Sequence, residues 1–496
     1  MDARLATLVW AFGIGGLFYL NRDNSARTSK FLWMPVIWLL ISASRPISNW
    51  FGVPYESAGE ISSGNLIDQL VAGLLIVGGI IVVVRRRKVA GAVLRSSWPI
   101  VLYFSFCLFS LLFSDFPLWG FKRWCRSLGD LAMVMVVVTE AEPAAAFRRF
   151  FSRSAFILFP PSVLLVKYYP NLSRYYSPEG LQLIGGVTTN KNTLGVGTYL
   201  LTLGALWQVQ ALLRDRKQPN RTGRLLAQCF LLGLGIELLV MARSATSGGC
   251  FVLGAFLMLV MPLIGRRTAA LHALILVILI GGGLIKVLGI QGKVMREMGR
   301  NSDFTGRTEI WKILQGMDTN PIVGAGFETF WVGPRLEYMN LIFPGINESH
   351  NGYLEVWLNL GGMGLGLIVL ILGQGYSSAV GGIRRDPALG GLLVVYIVTA
   401  VTYNVTEAGF RMLCPEWTFL VLAVVAAGRL GGVGNGPSQS RQELPAPAYW
   451  GATPIATTST PTWMKKLNPC VLLGYNHSPV RGRPDDTDWF AAKPSA

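Results

Sequence analysis

The chain has 496 residues, of which 51% are hydrophobic and 14% charged, with a mean hydropathy of +0.44; soluble domains carry roughly a quarter charged residues. That balance excludes a soluble fold, because a chain of this length has no core large enough to hide so much apolar surface. The net charge of +17 would suggest nucleic acid in a soluble protein, but here Lys and Arg sit mainly between apolar runs, where they orient helices toward the cytoplasmic face, so no nucleic-acid partner is expected.

In chain order, apolar runs near the roughly 20 residues needed to cross a bilayer predict about 13 helices. They lie at 5–20, 31–44, 66–84, 98–113, 119–139, 151–169, 190–212, 225–242, 249–264, 268–290, 352–373, 389–405 and 413–430. The expected fold class is therefore an all-α polytopic transmembrane bundle of about 12–13 spans. The first run lacks a basic leader longer than Arg4 and a small-residue cleavage site, so it is expected to be a retained span. The six cysteines are scattered, with neither a C-x-x-C motif nor metal-ligand spacing, and read as small apolar residues.

The connections Asn21–Lys30, Arg85–Arg95, Glu140–Phe150, Arg214–Arg224, Arg266–Arg267 and Arg384–Arg385 are the basic ones. Strict alternation puts them all on one side, which is then cytoplasmic. The loops at 45–65, 170–189 and 406–412 fall opposite and are poor in Lys and Arg. The long loop at 291–351 also falls outside the cytoplasm. It is expected to be ordered, from its aromatics Trp311, Phe327, Phe330, Trp331, Tyr338 and Phe343 and its turn signals Asn320-Pro321 and Gly324-Ala325-Gly326. After about residue 431 the composition turns to Gly, Pro, Ser and Thr, so the reading is a membrane domain at 1–430 and a disordered cytoplasmic tail at 431–496. No strong internal repeat of the kind found in many transporters is visible.

Ionisable groups at membrane depth are costly and mark candidate sites. Lys122, Arg126 and Asp130 follow at i, i+4, i+8 with Arg123 beside them. Two readings stand: an Arg126–Asp130 pair with snorkelling cations, or an anion site. The turn Arg243-Ser244-Ala245-Thr246-Ser247-Gly248-Gly249 offers an arginine fork, hydroxyls and a helix start, which suit phosphate oxygens, or else a simple snorkelling arginine. Glu237, inside the preceding helix, is expected to pair with a cation on another helix.

His350 is the one histidine at the outer surface, since His272 lies in an apolar run and His477 in the tail. Its imidazole suits a general base, while a helix cap by Ser349 or Asn351 is the structural alternative. Arg307 could contact an anion or be a solvated charge. Gly324 and Gly326 read as a turn more readily than as a phosphate cradle. There is no G-x-x-x-x-G-K-[ST] loop, and the one D-x-D string, Asp486-Thr487-Asp488, is in the tail. ATP-driven and metal-dependent nucleotide-sugar chemistry are thus disfavoured; no cofactor and no metal are expected, and the remaining option is an activated, lipid-borne leaving group.

The pieces Gly186 with Asn190-Lys191-Asn192-Thr193-Leu194-Gly195, Arg243-Ser244, Gly306-Arg307 with Ile310-Trp311, Pro321 with Gly324, Gly326 and Phe330, and His350-Asn351-Gly352-Tyr353-Leu354-Glu355 occur in this order over positions 180–375. In that order they resemble the O-antigen ligase and polysaccharide polymerase (Wzy-type) family. The Asn-Lys-Asn-Thr-Leu-Gly and Gly-Arg-Thr-Glu-Ile-Trp segments look most like its exopolysaccharide-polymerase branch. An apparent extra N-terminal helix and the long tail are departures from that pattern.

The resemblance implies a glycosyltransferase of the bacterial inner membrane, free of metal and ATP, with its site open to the periplasm. Its donor would be a glycan on undecaprenyl diphosphate, and its acceptor a sugar on a lipid-linked chain or lipid A core; other polysaccharide assembly proteins are possible partners. It assigns His350 as the catalytic base and Arg243 and Arg307 to the diphosphate, with Arg123 and Arg126 as further candidates. Lys191, Asn192, Asn351 and Tyr353 are candidate substrate contacts. The rival reading, a lipid-linked oligosaccharide flippase or other secondary transporter, predicts charged groups near the midplane of several helices.

Overall fold

The computed structural model describes residues 2–53, 64–176, 180–265, 267–287 and 304–432. The tail from 433 and the first part of the long loop, 291–303, lie outside the described residues. In order the elements are α1 (Ala3–Leu20), a 3-10 turn (Lys30–Leu32) leading into α2 (Trp33–Ser42), α3 (Ile47–Trp50), α4 (Leu66–Arg85), α5 (Arg87–Ser96), α6 (Trp98–Ser110), α7 (Pro117–Val138), α8 (Pro143–Tyr168) and α9 (Pro170–Ser173). Strands β1 (Arg174–Tyr176) and β2 (Gln182–Ile184) come next, then α10 (Lys191–Arg214), α11 (Arg221–Ala242), α12 (Ala245–Ile264), α13 (Thr268–Val287), α14 (Phe304–Gln315), α15 (Pro334–Ile342), α16 (Gly352–Ile383), α17 (Pro387–Tyr403) and α18 (Pro415–Gly432).

Every predicted apolar run folds as a helix over its described residues, the end of the 268–290 run at 288–290 lying outside them, and the protein is a polytopic helical membrane protein. Among the described residues, seven helices are long and apolar enough to cross a bilayer, or eight if the bent pair α5 and α6 is one span. The other runs fold as shorter helices, such as α2 and α17, or carry charge, as α7 does with Lys122, Arg123, Arg126 and Asp130. The one sheet described is an antiparallel hairpin in which Arg174 pairs with Ile184, an addition to the all-α expectation.

Two local departures have clear causes. The basic connection after Arg85 is itself a helix, α5, because Ala90 and Val93 share one buried face. It meets the segment 98–113 at 87°, where Pro99 in the first turn of α6 starts a new helix. The run expected at 352–373 extends to Ile383 and is broken at Gly361, whose φ of 60° and ψ of −161° leave the helical region.

That break frees carbonyls and N–H groups that must be satisfied, and the Pro321–Gly326 segment does so. Ala325 N donates to Leu358 O (3.0 Å), Gly326 N to Asn359 O (2.9 Å), Gly362 N to Pro321 O (2.9 Å) and Met363 N to Ile322 O (3.1 Å). Contact is so close that a Cβ on Gly361 would lie 2.3 Å from Ile322 C, and one on Gly324 2.4 Å from Asn359 C. The two glycine positions of this motif therefore form a turn that docks into a broken helix.

The described part of the long loop, 304–351, is ordered and has its own small core of Ile310, Leu314, Phe330, Trp331, Met339 and Ile346 against Leu358. In the bundle, α17 and α18 are buried almost all round, with Leu392–Val395 and Phe419–Val425 nearly inaccessible. Such uniformly apolar helices belong at a bundle centre. By contrast α1 and α4 expose residues such as Phe12 and Leu74.

Candidate active site

The start of α16 fixes the site. Asn351 caps it, its Oδ1 accepting from Tyr353 N and Leu354 N at 3.0 Å each. Gly352 N donates to Asn404 O (2.9 Å) and Glu407 O (3.0 Å), which draws the loop between α17 and α18 onto the helix start. His350, just before the cap, sits at φ 51°, the left-handed region that costs a non-glycine residue roughly 1–2 kcal/mol. Strain of that kind persists where surrounding structure imposes it.

His350 Nδ1 lies 2.8 Å from Glu348 Oε1 and 3.6 Å from Glu407 Oε2, as an ion-pair contact without the alignment of a hydrogen bond. Burial pulls the imidazole pKa down, but the two carboxylates more than compensate and raise it to about 9. For Glu348, burial pushes upward, yet His350, Arg411 and Arg307 hold its carboxyl below the ordinary value.

Glu407 is the hub. Its Oε1 accepts from Arg307 Nη2 at 3.0 Å, and its Oε2 from Asn192 Nδ2 at 3.3 Å; Arg307 also donates to Thr406 O. A second knot surrounds Arg411, which lies 3.2 Å from Glu348 Oε2, 3.8 Å from Glu328 Oε2 and 3.9 Å from Glu355 Oε1. Burial alone would lower the Arg411 pKa, and the three carboxylates raise it instead. Glu355 is held by Trp331 Nε1 (2.7 Å) and Ser349 N (2.9 Å), while Arg123 donates to Glu328 O.

The sequence-predicted residues divide accordingly. His350, Arg307 and Asn192 meet at Glu407, and Arg123 joins through Glu328. The Arg243 turn comes alongside, since Thr246 Oγ1 lies 2.9 Å from Thr406 Oγ1. Arg243 itself is exposed, at φ 49° where α11 ends, with no side-chain partner among the described residues. Lys191 opens α10, where Asn190 Oδ1 caps Thr193 N at 2.8 Å.

Asn351 and Tyr353 have structural tasks. The first is the cap, and the Tyr353 hydroxyl donates to Val401 O at 3.0 Å. The Arg126 guanidinium lies against Gly64. Asp130 accepts from Trp38 Nε1 (2.7 Å), Leu413 N (3.1 Å) and Thr418 Oγ1 (3.4 Å), tying α7 to the end of the 404–414 loop. Glu237 is exposed and forms no ion pair among the described residues, contrary to the expected cationic partner.

Sequence reasoning gave no role to Glu348, Glu407 or Arg411. The signal for Glu407 and Arg411 was the same as that of Arg243: ionisable groups in a short loop between apolar runs. Ligand atoms of Glu348, His350 and Glu407 lie within 4.8 Å of one another, a spacing open to a cation. Arg307 and Arg411 already neutralise the two carboxylates, so the set suits a proton better than a divalent ion.

The charged site therefore lies where helix ends and loops meet in a polytopic helical membrane bundle. Residues 229–369 match the family model described as O-antigen ligase, a stretch that contains Arg243, Arg307 and His350 and stops short of Glu407 and Arg411. Over 366 residues the chain is 22% identical to the exopolysaccharide production protein ExoQ of Rhizobium meliloti (strain 1021), covering 69% of this chain and 79% of that protein. Together these support an O-antigen ligase and exopolysaccharide-polymerase-like family, and the chain is a multi-pass membrane enzyme of polysaccharide assembly.

Proposed function

We propose that the protein transfers a glycan from undecaprenyl diphosphate to a sugar hydroxyl at the periplasmic face of the inner membrane, as an exopolysaccharide or O-antigen polymerase or as a ligase. The observation that carries this reading is the meeting of His350, Arg307 and Asn192 on Glu407, in a chain with a ligase-type match. The acceptor hydroxyl gives its proton to His350 while its oxygen attacks the anomeric carbon. The bond from that carbon to the phosphate oxygen breaks, and undecaprenyl diphosphate leaves with the electron pair.

Since Nδ1 of His350 faces the carboxylates, the other ring nitrogen is the one available to the hydroxyl. Arg243 and Arg307, with Arg123 and Arg126 as further candidates, would balance charge growing on the diphosphate, an effect of about 10²–10³ in rate per well-placed donor. Lys191 and Asn192 would bind sugar or phosphate at the start of α10. The leaving group is already activated, so neither ATP nor a metal is needed.

The test is transfer by purified protein supplied with undecaprenyl-diphosphate-linked glycan and chelator, without ATP, comparing wild type with His350→Ala. Longer lipid-linked chains from wild type alone support a polymerase; transfer to added lipid A core supports a ligase. Full activity in the variant removes the base role. Passage of glycan lipid across vesicles without transfer would move the reading to a flippase.

A further inference from the structure

An apolar cavity of about 260 Å³ lies at the far end of the bundle. It opens where the C-terminal ends of α10, α12 and α16 meet the starts of α13 and α17, and its walls include Trp207, Met258, Met261, Leu271 and Leu392. The gap exists because Ala211, Gly265, Ala388 and Gly391 put small residues at the facing positions. The Trp207 ring is locked by its Nε1 donating to Ala388 O at 3.0 Å, so it does not swing in to fill the space.

The rim is cationic. Arg214, the last residue of α10, lines the mouth. Arg267 lies two residues beyond the lining Gly265, and Arg384 directly follows the lining Ile383. All three are exposed, and their side chains have no partner among the described residues. The neighbouring acids are engaged locally: Asp386 Oδ1 caps Ala388 N and Leu389 N at 3.1 and 2.9 Å, and Asp215 Oδ1 accepts from Lys217 N at 3.0 Å. Arg385 is likewise spent on Leu430 O and Gly431 O.

We propose that this cavity and its three free arginines bind an anionic phospholipid of the leaflet at that end, one acyl chain entering the cavity and the phosphate resting on Arg214. Basic pockets among membrane helices recognise such head groups. The volume lies below the roughly 300–1,000 Å³ of ordinary ligand pockets and suits a chain end rather than a glycan. A polyprenyl diphosphate at His350 is not the occupant, because α10 places Asn192 at one site and Arg214 at the other, about 33 Å of helix apart.

The experiment is lipid binding to the full-length protein in detergent by native mass spectrometry, with phosphatidylglycerol and phosphatidylcholine of identical chains. Wild type is expected to prefer phosphatidylglycerol by roughly fivefold for each arginine engaged. Arg214→Gln, at an exposed position, should lower that preference without changing the melting temperature. Gly391→Leu, whose side chain enters toward Met261, should weaken both lipids. Equal binding of the two lipids by wild type, an unaffected Arg214→Gln, or displacement of phosphatidylglycerol by sub-stoichiometric undecaprenyl phosphate would each overturn the assignment. None of these readouts depends on glycan transfer.

Discussion

Arg307 and Glu407 are 100 residues apart in the chain and meet through Nη2 and Oε1 at 3.0 Å. The pair joins the long loop to the connection between the last two helices, with side-chain exposures of only 21% and 6%. Removing one partner leaves the other charged and largely buried, at a cost of roughly 3–5 kcal/mol. Arg307→Gln and Glu407→Gln should each lower the melting temperature, and the double variant should be more stable than the sum of the two losses predicts. Strict additivity in the thermal scans would show that the pair contributes no coupling.

The raised pKa of His350 sets a pH dependence. At about 9 against an ordinary 6.5, the protonated form is favoured by the folded state. Its contribution to stability is therefore complete below pH 6.5 and lost as pH rises through about 9. A base must be neutral, and about one imidazole in a hundred is neutral at pH 7. Transfer rates should accordingly climb about tenfold per pH unit toward 9. A rate flat at neutral pH and falling above 9 would mean instead that the imidazolium is the working form.

Arg243 separates function from stability. Its side chain is exposed and has no partner among the described residues, so Arg243→Ala should fall within the ±0.5 kcal/mol typical of surface changes. If it grips the donor diphosphate, the same variant should lose about 10²-fold in transfer. Unchanged turnover at unchanged melting temperature would take Arg243 out of the site.

Gly361 tests the broken helix. Its φ is 60°, and a Cβ there would meet Ile322 C at 2.3 Å, in a conformation L side chains avoid. Gly361→Ala should destabilise by more than about 2 kcal/mol, and the 321–326 turn should become a site of proteolytic cleavage before the bundle does. Intact resistance to protease would argue that the segment docks by other contacts.

Much of this architecture was legible without coordinates. Apolar runs mark helices because an uninterrupted stretch must bury or satisfy its backbone internally, and each of the predicted runs, from α1 to α18, forms a helix over its described residues. The position of His350 at the end of the long loop was also readable, as was the capping duty of Asn351 offered there as the alternative. The Asn320–Gly326 turn was read as a turn, but not as the piece that seals a helix break, because Gly361 gives no sign in one dimension of the carbonyls it frees.

By itself, the sequence determined that this is a helical membrane protein whose few ionisable groups within apolar runs mark candidate sites, since hydrocarbon penalises charge along a span. Which of those groups act together was decided by tertiary structure alone. His350, Glu348, Arg307, Asn192, Glu407 and Arg411 come from distant segments of the chain, and the hydrogen bonds from Gly352 N to Asn404 O and Glu407 O, at 2.9 and 3.0 Å, bring the last loop against the others. Charge pairing acts over a few ångströms in space and is indifferent to separation in sequence, so spacing could suggest the arginines and the histidine but not the carboxylate that binds them into one site.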